Sequence, residues 1–549
     1  MLSPRLLLRS LLVGGTAGAV GLSAAWAGVS VLPTPTPPPV VDSATGAAGA
    51  PLDGPRKQPR SSLARPQQYN QVGAAKLSIA PRPKDMAKRF PGARWETRKE
   101  KCVTLDPNEL QRILGGNATE PLDGIASTGS PWPENPSCLY MGGFGIGPMN
   151  PITRFDPKDD LSVRALAIRG EGKVLLLVVV DGEGWLWDYK SKCADCGAKQ
   201  ISEALAADPQ LKARGVTADS FVLHSTHSHS APDFIGGWGF VPNWYMAQVT
   251  DTIKAAARKA VLSLQDAVLE VGEVEARAFN NERRDTYRSA EEQQLTWLRA
   301  DAVRSGRTIA TLGAYAAHPT TRGTNDGVAS TDWVGVFERR LEKRFGGVGF
   351  HVMTGLGNMS ASGGTAMGAA LADLVANPWD SAGPVEQDAA LRIKRTVVSS
   401  PITNVPLDAL GTPGFFDREF SPLPGAVSVG ENENAPCTSA SPQSVEIPVT
   451  VVKLGERVTL TFAPGEVFSN LTNTVKDKSA GRVVFPVAQA NDALGYMPQS
   501  FELNPVGQQG LGFAFGGYLF VNYEDSYAID RCIGDLVLET TLSGLGALK

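Results

Sequence analysis

Phe221-Val-Leu-His224-Ser-Thr-His227-Ser-His229-Ser-Ala-Pro-Asp233 is a short apolar run that ends in three closely spaced histidines. The chain has 549 residues and only 5 His, and the other two, His318 and His351, lie downstream. Random scatter rarely crowds histidines in this way. An apolar strand that delivers polar side chains at its carboxyl end is how sheets of α/β proteins present their sites. Residues i and i+2 of a strand share a face, so the pleat predicts that His227 and His229 project the same way. That geometry suits a metal ligand beside a second ligand or a proton-transfer group. The bland alternative is a set of histidines hydrogen-bonded at a strand end.

Two further segments share this design. Gly313-Ala-Tyr-Ala-Ala-His318-Pro-Thr-Thr321 brings small and apolar residues to a single histidine, and Leu460-Thr-Phe-Ala-Pro-Gly-Glu466 brings an apolar strand to a carboxylate. Glu466 reads either as a helix-terminal acid or as the carboxylate of a zinc site made by two histidines and one glutamate. The intervening pattern alternates strands and helices. Val163–Arg169 and Lys173–Asp181 form a predicted hairpin, Ser220–Leu223 a strand, and Gln200–Lys212 and Trp244–Leu264 helices. Strands follow at Ala267–Ala276, Thr296–Arg299, Thr308–Ala317 and Val348–Met353, with a helix at Asp332–Arg344. A second hairpin, Ser444–Leu454 with Arg457–Ala463, precedes a helix at Val467–Lys478 and a strand at Arg482–Ala488. Residues 362–443 read as long irregular loops. The class is α/β, a mixed α+β sheet protein.

Composition narrows the partners. A formal net charge of −4, from 52 basic and 56 acidic residues, argues against nucleic acid. A hydrophobic fraction of 42% is enough for a sizeable core. Residues 1–27 read as a signal peptide, with Arg5 and Arg9 ahead of an apolar stretch and Ala25-Trp26-Ala27 as the cleavage site. The expected location is therefore secreted or periplasmic, or membrane-anchored if that segment is retained. Residues 28–90 have the Pro, Ala and Gly content of a linker, which leaves 95–549 as the folded domain. Export makes disulfides expected. Cys193 and Cys196 suit a short-loop bridge, and Cys102, Cys138, Cys437 and Cys532 allow three pairings.

Five motifs in register carry a resemblance: Thr226-His-Ser-His-Ser-Ala-Pro232, His318-Pro-Thr320, Gly357-Asn-Met-Ser360, Pro464-Gly-Glu466 and Asn491-Asp-Ala-Leu-Gly-Tyr496. With Met141-Gly-Gly, Arg164-Ala-Leu-Ala-Ile and Val180-Asp181 upstream, this order resembles the neutral/alkaline (non-lysosomal) ceramidases over residues 138–540. The resemblance implies a ceramidase-like zinc hydrolase domain, with one zinc per chain held by His227, His318, Glu466 and Tyr496. It implies His229, Tyr523 and an arginine of Asn280-Asn-Glu-Arg-Arg284 as catalytic groups, with Arg284 the first choice and Arg283 the alternative. The implied activity is a secreted zinc-dependent amidohydrolase that cleaves the N-acyl bond of ceramide or a related N-acyl lipid, with transient contact to a membrane surface. A further Ca2+ or Mg2+ is left open. The chain departs from the pattern at Asn358, Ala361 and Ala231, and it ends before the family's C-terminal β-sandwich. These changes touch the pocket rim more than the ligand set. The same fold acting on a non-lipid amide or ester, and a non-catalytic exported binding protein, are the alternatives. Ser360 as a nucleophile is a rival mechanism, but its surroundings lack the G-x-S-x-G elbow.

Overall fold

The computed structural model describes residues 69–102, 137–504 and 523–548, apart from short breaks at 145–147, 191, 240, 285–289, 325, 376–384, 387–388, 405–416, 419, 424, 433–434 and 480. The signal-peptide segment lies outside the described residues.

The first sheet is built from β1 (Asn70–Ser78), β2 (Ser162–Gly170), β3 (Lys173–Val180), β4 (Phe221–Ser225), β5 (Gln265–Glu275), β6 (Gln294–Ala302), β7 (Thr308–Tyr315) and β8 (Val348–Met353). Their order is β8-β7-β6-β5-β1-β2-β3-β4, with Val385–Glu386 paired to β5. The pairs β3–β4 and β7–β8 are parallel and the rest antiparallel, including the expected β2–β3 hairpin. The second sheet joins β9 (Leu391–Pro401), β10 (Gln443–Leu454), β11 (Val458–Phe462) and β12 (Val483–Val487) in that order.

Strand β3 is apolar at nearly every position because both of its faces are buried. Val174, Leu176 and Val178 pack with Ile253, Ala256 and Ala260 of helix α1 (Asn243–Leu262). Leu175, Leu177 and Val179 meet Leu460, Phe462, Phe485 and Val487 of the second sheet. The outer face of that sheet is covered by α2 (Ser469–Lys478) and α3 (Ile533–Ala547), through Val451, Val475 and Val537. The layers run helix, sheet, sheet, helix, a mixed α/β architecture as expected.

Several boundaries move. The expected linker ends earlier than residue 90, because Asn70–Ser78 is the central strand β1. Its small residues serve a close approach. A Cβ at Gly73 would stand 2.1 Å from the carbonyl oxygen of Ala260, so α1 could not lie so near the sheet. The expected helix over Gln200–Lys212 is two, Ala198–Ala207 and Pro209–Lys212. Pro209 cannot continue the first, and the Asp208 carboxylate caps the second. The region expected to be irregular holds the helix Met367–Leu374, strand β9 and the hairpin Ala426–Asn432/Ala435–Ala440. All six cysteines are paired, as Cys102–Cys138, Cys193–Cys196 and Cys437–Cys532. Among the described residues no helix is long and apolar enough to cross a membrane.

One connection decides where the site lies. Strands β4 and β8 are opposite edges in the strand order, yet Met353 at the end of β8 donates its N–H to His224 Nε2 in β4 at 3.3 Å. His224 Nδ1 donates to the Ala488 carbonyl at 2.9 Å. Ala488 N–H donates to Met353 O (2.9 Å) and Ser225 N–H to Gln489 O (3.1 Å). The segment leaving β12 thus sews the two edges together, and the carboxyl ends of β4 and β7 converge. Burial pushes the His224 imidazole down to about 3, so it works as a neutral cross-brace.

Candidate metal centre

Strand β4 stops at Ser225, and His227 takes a left-handed backbone with φ 57°. A non-glycine residue pays about 1–2 kcal/mol for that conformation. His227 and His229 therefore share a face through a tight turn, not through the pleat anticipated from their i, i+2 spacing. The turn is held by Thr226 N–H to Val180 O (3.0 Å) and His229 N–H to Pro319 O (3.2 Å), which docks it against the His318 segment. His318 follows β7. Both its backbone N–H (3.0 Å) and its Nδ1 (3.2 Å) donate to Met359 O. Glu466 and Tyr496 lie side by side in a short parallel ladder of Glu466–Val467 with Tyr496–Met497. The expected helix at Val467–Lys478 accordingly begins only at Ser469.

His227, His318 and Glu466 are buried and offer donor atoms within 4.8 Å of one another. Glu466 Oε2 stands 2.8 Å from His318 Nε2 and 3.5 Å from His227 Nε2. His229 Nε2 is 3.4 Å from His227 Nε2. The outer nitrogens settle the tautomers. Nδ1 of His227, His229 and His318 each meets a backbone carbonyl, of Glu183 (2.8 Å), Gly143 (3.0 Å) and Met359 (3.2 Å). A carbonyl has no proton to give, so each Nδ1 carries the hydrogen and each neutral ring turns its Nε2 lone pair inward; at His227 the Gln489 side-chain amide, 3.2 Å from Nδ1, then presents its oxygen to that hydrogen. Three lone pairs and a carboxylate oxygen facing one another repel unless positive charge lies among them. The donor set therefore fits a cation, and two imidazoles with a carboxylate suit zinc.

Without an ion, one proton fills that need. Burial works against the imidazolium of His227, but the Glu466 and Glu183 carboxylates outweigh it and raise the group to about 9. Burial and the Arg283 charge push His318 down to about 4. Burial, with the charges of His227 and His318, holds His229 well below the usual range. Burial alone would raise Glu466, yet the two histidines hold its carboxyl well below the usual carboxylate range.

Of the two arginines, Arg283 and not Arg284 is the one in contact with Tyr496. Arg284 is fully buried; it pairs with Asp525 at 2.8 Å, donates to Glu502 O at 3.1 Å and lies over the Phe468 ring. Arg283 faces the centre. Its Nη2 donates to the Tyr496 hydroxyl (3.0 Å) and to Gly357 O (2.9 Å), and its Nε to Glu524 (2.7 Å). Both follow the strand Asn280–Glu282, and adjacent residues leaving an extended segment point to opposite sides, so only one can reach the centre. Tyr523 opens the helix Tyr523–Tyr527, but its side chain lies outside the described residues. Ser360 pairs with Asn281 in a short ladder and forms a backbone bridge with His318, and among the described residues no hydrogen bond joins its hydroxyl to a histidine. Within the Gly357–Ser360 motif, Asn358 Oδ1 accepts Ser469 N–H at 2.8 Å, at the start of α2. A Cβ at Gly143 would fall 2.1 Å from the His229 ring, so glycine is needed where this loop crosses the site. Glu183 was not anticipated. The only signal was a carboxylate three residues past the β3 strand, in Asp181-Gly-Glu183-Gly184.

The fold and site define a layered α/β protein with a buried donor set of two histidines and one carboxylate at the carboxyl ends of its strands. No family model matches the chain, and no curated protein matches it in sequence. Solved structures do match in fold. A structure described as a ceramidase complexed with C2 is 15% identical, with a TM-score of 0.54, over 86% of this chain and 74% of its own. The neutral ceramidase from Pseudomonas aeruginosa is 15% identical, with a TM-score of 0.51, over 86% of this chain and 75% of its own. The chain has the fold of those structures.

Proposed function

We propose that the protein is a zinc-dependent amidohydrolase that cleaves the N-acyl bond of ceramide or a related N-acyl lipid. The observation that carries this reading is the inward lone pairs of His227, His229 and His318 around the Glu466 carboxylate, on a fold shared with ceramidases. His227, His318 and Glu466 would hold the metal, with Tyr496 beside Glu466 as a fourth ligand. Zinc bound there supplies Lewis acidity, which makes water acidic near neutral pH and polarises an amide carbonyl. His229, neutral and with Nε2 turned inward, takes a proton during attack and returns it to the departing amine. Arg283 directs its guanidinium to the Tyr496 hydroxyl, where it can donate to a developing oxyanion. One such donor is worth about 10²–10³ in rate. Three disulfides support an oxidising, exported location.

The test is metal analysis of the purified chain together with hydrolysis of an N-acyl-sphingosine. One zinc per chain, with activity lost to a chelator and restored by zinc, is expected. Activity that survives complete chelation would refute the metal mechanism, and zinc-dependent cleavage of soluble amides alone would refute the lipid substrate.

A further inference from the structure

Glu183 has no part in the scheme above, yet it is one of the most confined carboxylates in the protein. Its side chain is 3% exposed, Oε1 stands 3.5 Å from His227 Nδ1, and Oε2 has no hydrogen-bond partner. Its own carbonyl receives the Nδ1–H of His227 at 2.8 Å. A Cβ added at Gly142 would meet its Cβ and Cγ at 2.5 Å, so the Met141-Gly-Gly backbone clamps the side chain in place. Burying a carboxylate without a partner is costly unless positive charge compensates it. Burial raises its carboxyl to about 8 against the pull of His227, the positive group facing it, and the other charged groups that act on it, Asp233 and Glu466, are acidic.

Glu183, His227 and His229 also bring donor atoms within 4.8 Å of one another. A second ion there is disfavoured. Nδ1 of His227 is engaged by a carbonyl, and its Nε2 already faces Glu466, so one ring nitrogen would have to serve two ions. Compensating charge reaches Glu183 through His227, from its imidazolium in the ion-free protein and from the ion that this histidine would hold. We propose that Glu183 is a positioning residue of the metal centre, which fixes the His227 ring and supplies, with Glu466, the second negative charge that balances a divalent cation. The proposal rests on the reading of His227, His318 and Glu466 as a zinc site.

The test measures zinc dissociation constants of the full chain by competition with a chromophoric chelator, for wild type, Glu183→Gln and Glu183→Asp. The glutamine keeps the shape and the backbone carbonyl but removes the charge, and is expected to weaken zinc about 10–100-fold, as loss of a group supporting a metal-bound histidine does. The aspartate keeps the charge and is expected to recover most of the affinity. Thermal unfolding of the zinc-free proteins is the second readout: Glu183→Gln should melt no lower than wild type, since the cost of burying an acid whose carboxyl burial raises to about 8 is gone. Unchanged zinc affinity in Glu183→Gln, with wild type binding normally, overturns this inference alone. Complete loss of zinc makes Glu183 a ligand and overturns it too, as does a marked loss of zinc-free stability. A wild type that binds no zinc overturns the site reading itself.

Discussion

Replacing each of the adjacent arginines by methionine separates a structural ion pair from a catalytic one. Arg284→Met removes a guanidinium that is 0% exposed and breaks its 2.8 Å pair with Asp525, also 0% exposed. It also removes the donor to Glu502 O. Breaking a buried pair from one side costs about 3–5 kcal/mol, a large share of the roughly 5–15 kcal/mol that stabilises a typical domain. Arg283 is different. Its pair with Glu524 is open on the arginine side, at 18% exposure, and its other bonds reach the Tyr496 hydroxyl and a carbonyl. Arg283→Met should cost about 2 kcal/mol of stability, as lost charged hydrogen bonds do, but lower turnover about 10²–10³-fold. Urea unfolding and turnover of N-acyl-sphingosine, measured on both variants, read the two effects separately. Arg284→Met should lower the urea midpoint strongly, and the fraction that remains folded should keep its turnover. An Arg284→Met protein of normal midpoint and lost turnover would refute the assignment, as would an Arg283→Met protein of normal turnover.

Further expectations follow from the same geometry. His227→Ala and Glu466→Ala should each remove zinc, whereas His229→Ala should retain it and lose about 10²–10⁴-fold in turnover, with metal content and rate measured on the same samples. Zinc loss in His229→Ala would show that the two histidines are exchanged. The zinc-free protein should lose stability as the pH rises from 6.5 to 9. His227 is raised to about 9, so its contribution is complete below 6.5 and is lost as pH climbs through 9. His224 and His318 are lowered, to about 3 and about 4, so theirs is complete above 6.5 and is lost as pH falls toward those values. A urea-midpoint profile that rises steadily from pH 6.5 to 9 would contradict this. Gly143→Ala should press on the His229 ring and lower turnover more than zinc affinity, and a variant of unchanged rate would show that the loop yields.

The parts of the fold that were legible in the sequence are those where periodicity and burial agree. Val348–Met353 was anticipated to the residue, and the apolar Lys173–Val180 run is buried on both faces. What stayed hidden depends on contacts distant in sequence. Asn70–Ser78 has a linker-like composition because its small residues accommodate α1, a helix almost two hundred residues away. The convergence of His227 with His318 needed the curl of the sheet, closed by Ala488 and Gln489, which no local pattern encodes. The choice between Arg283 and Arg284 turns on the direction in which one extended residue points, and motif spacing is blind to that. Glu183 was overlooked because a carboxylate matters at this site only once His227 is seen beside it.

The most direct measurement is anomalous diffraction at the zinc edge from crystals of the full chain grown with zinc. One peak per chain is predicted, about 2.0–2.2 Å from the Nε2 atoms of His227 and His318 and from a Glu466 carboxylate oxygen. No peak there, or a peak held by other residues, would contradict the account.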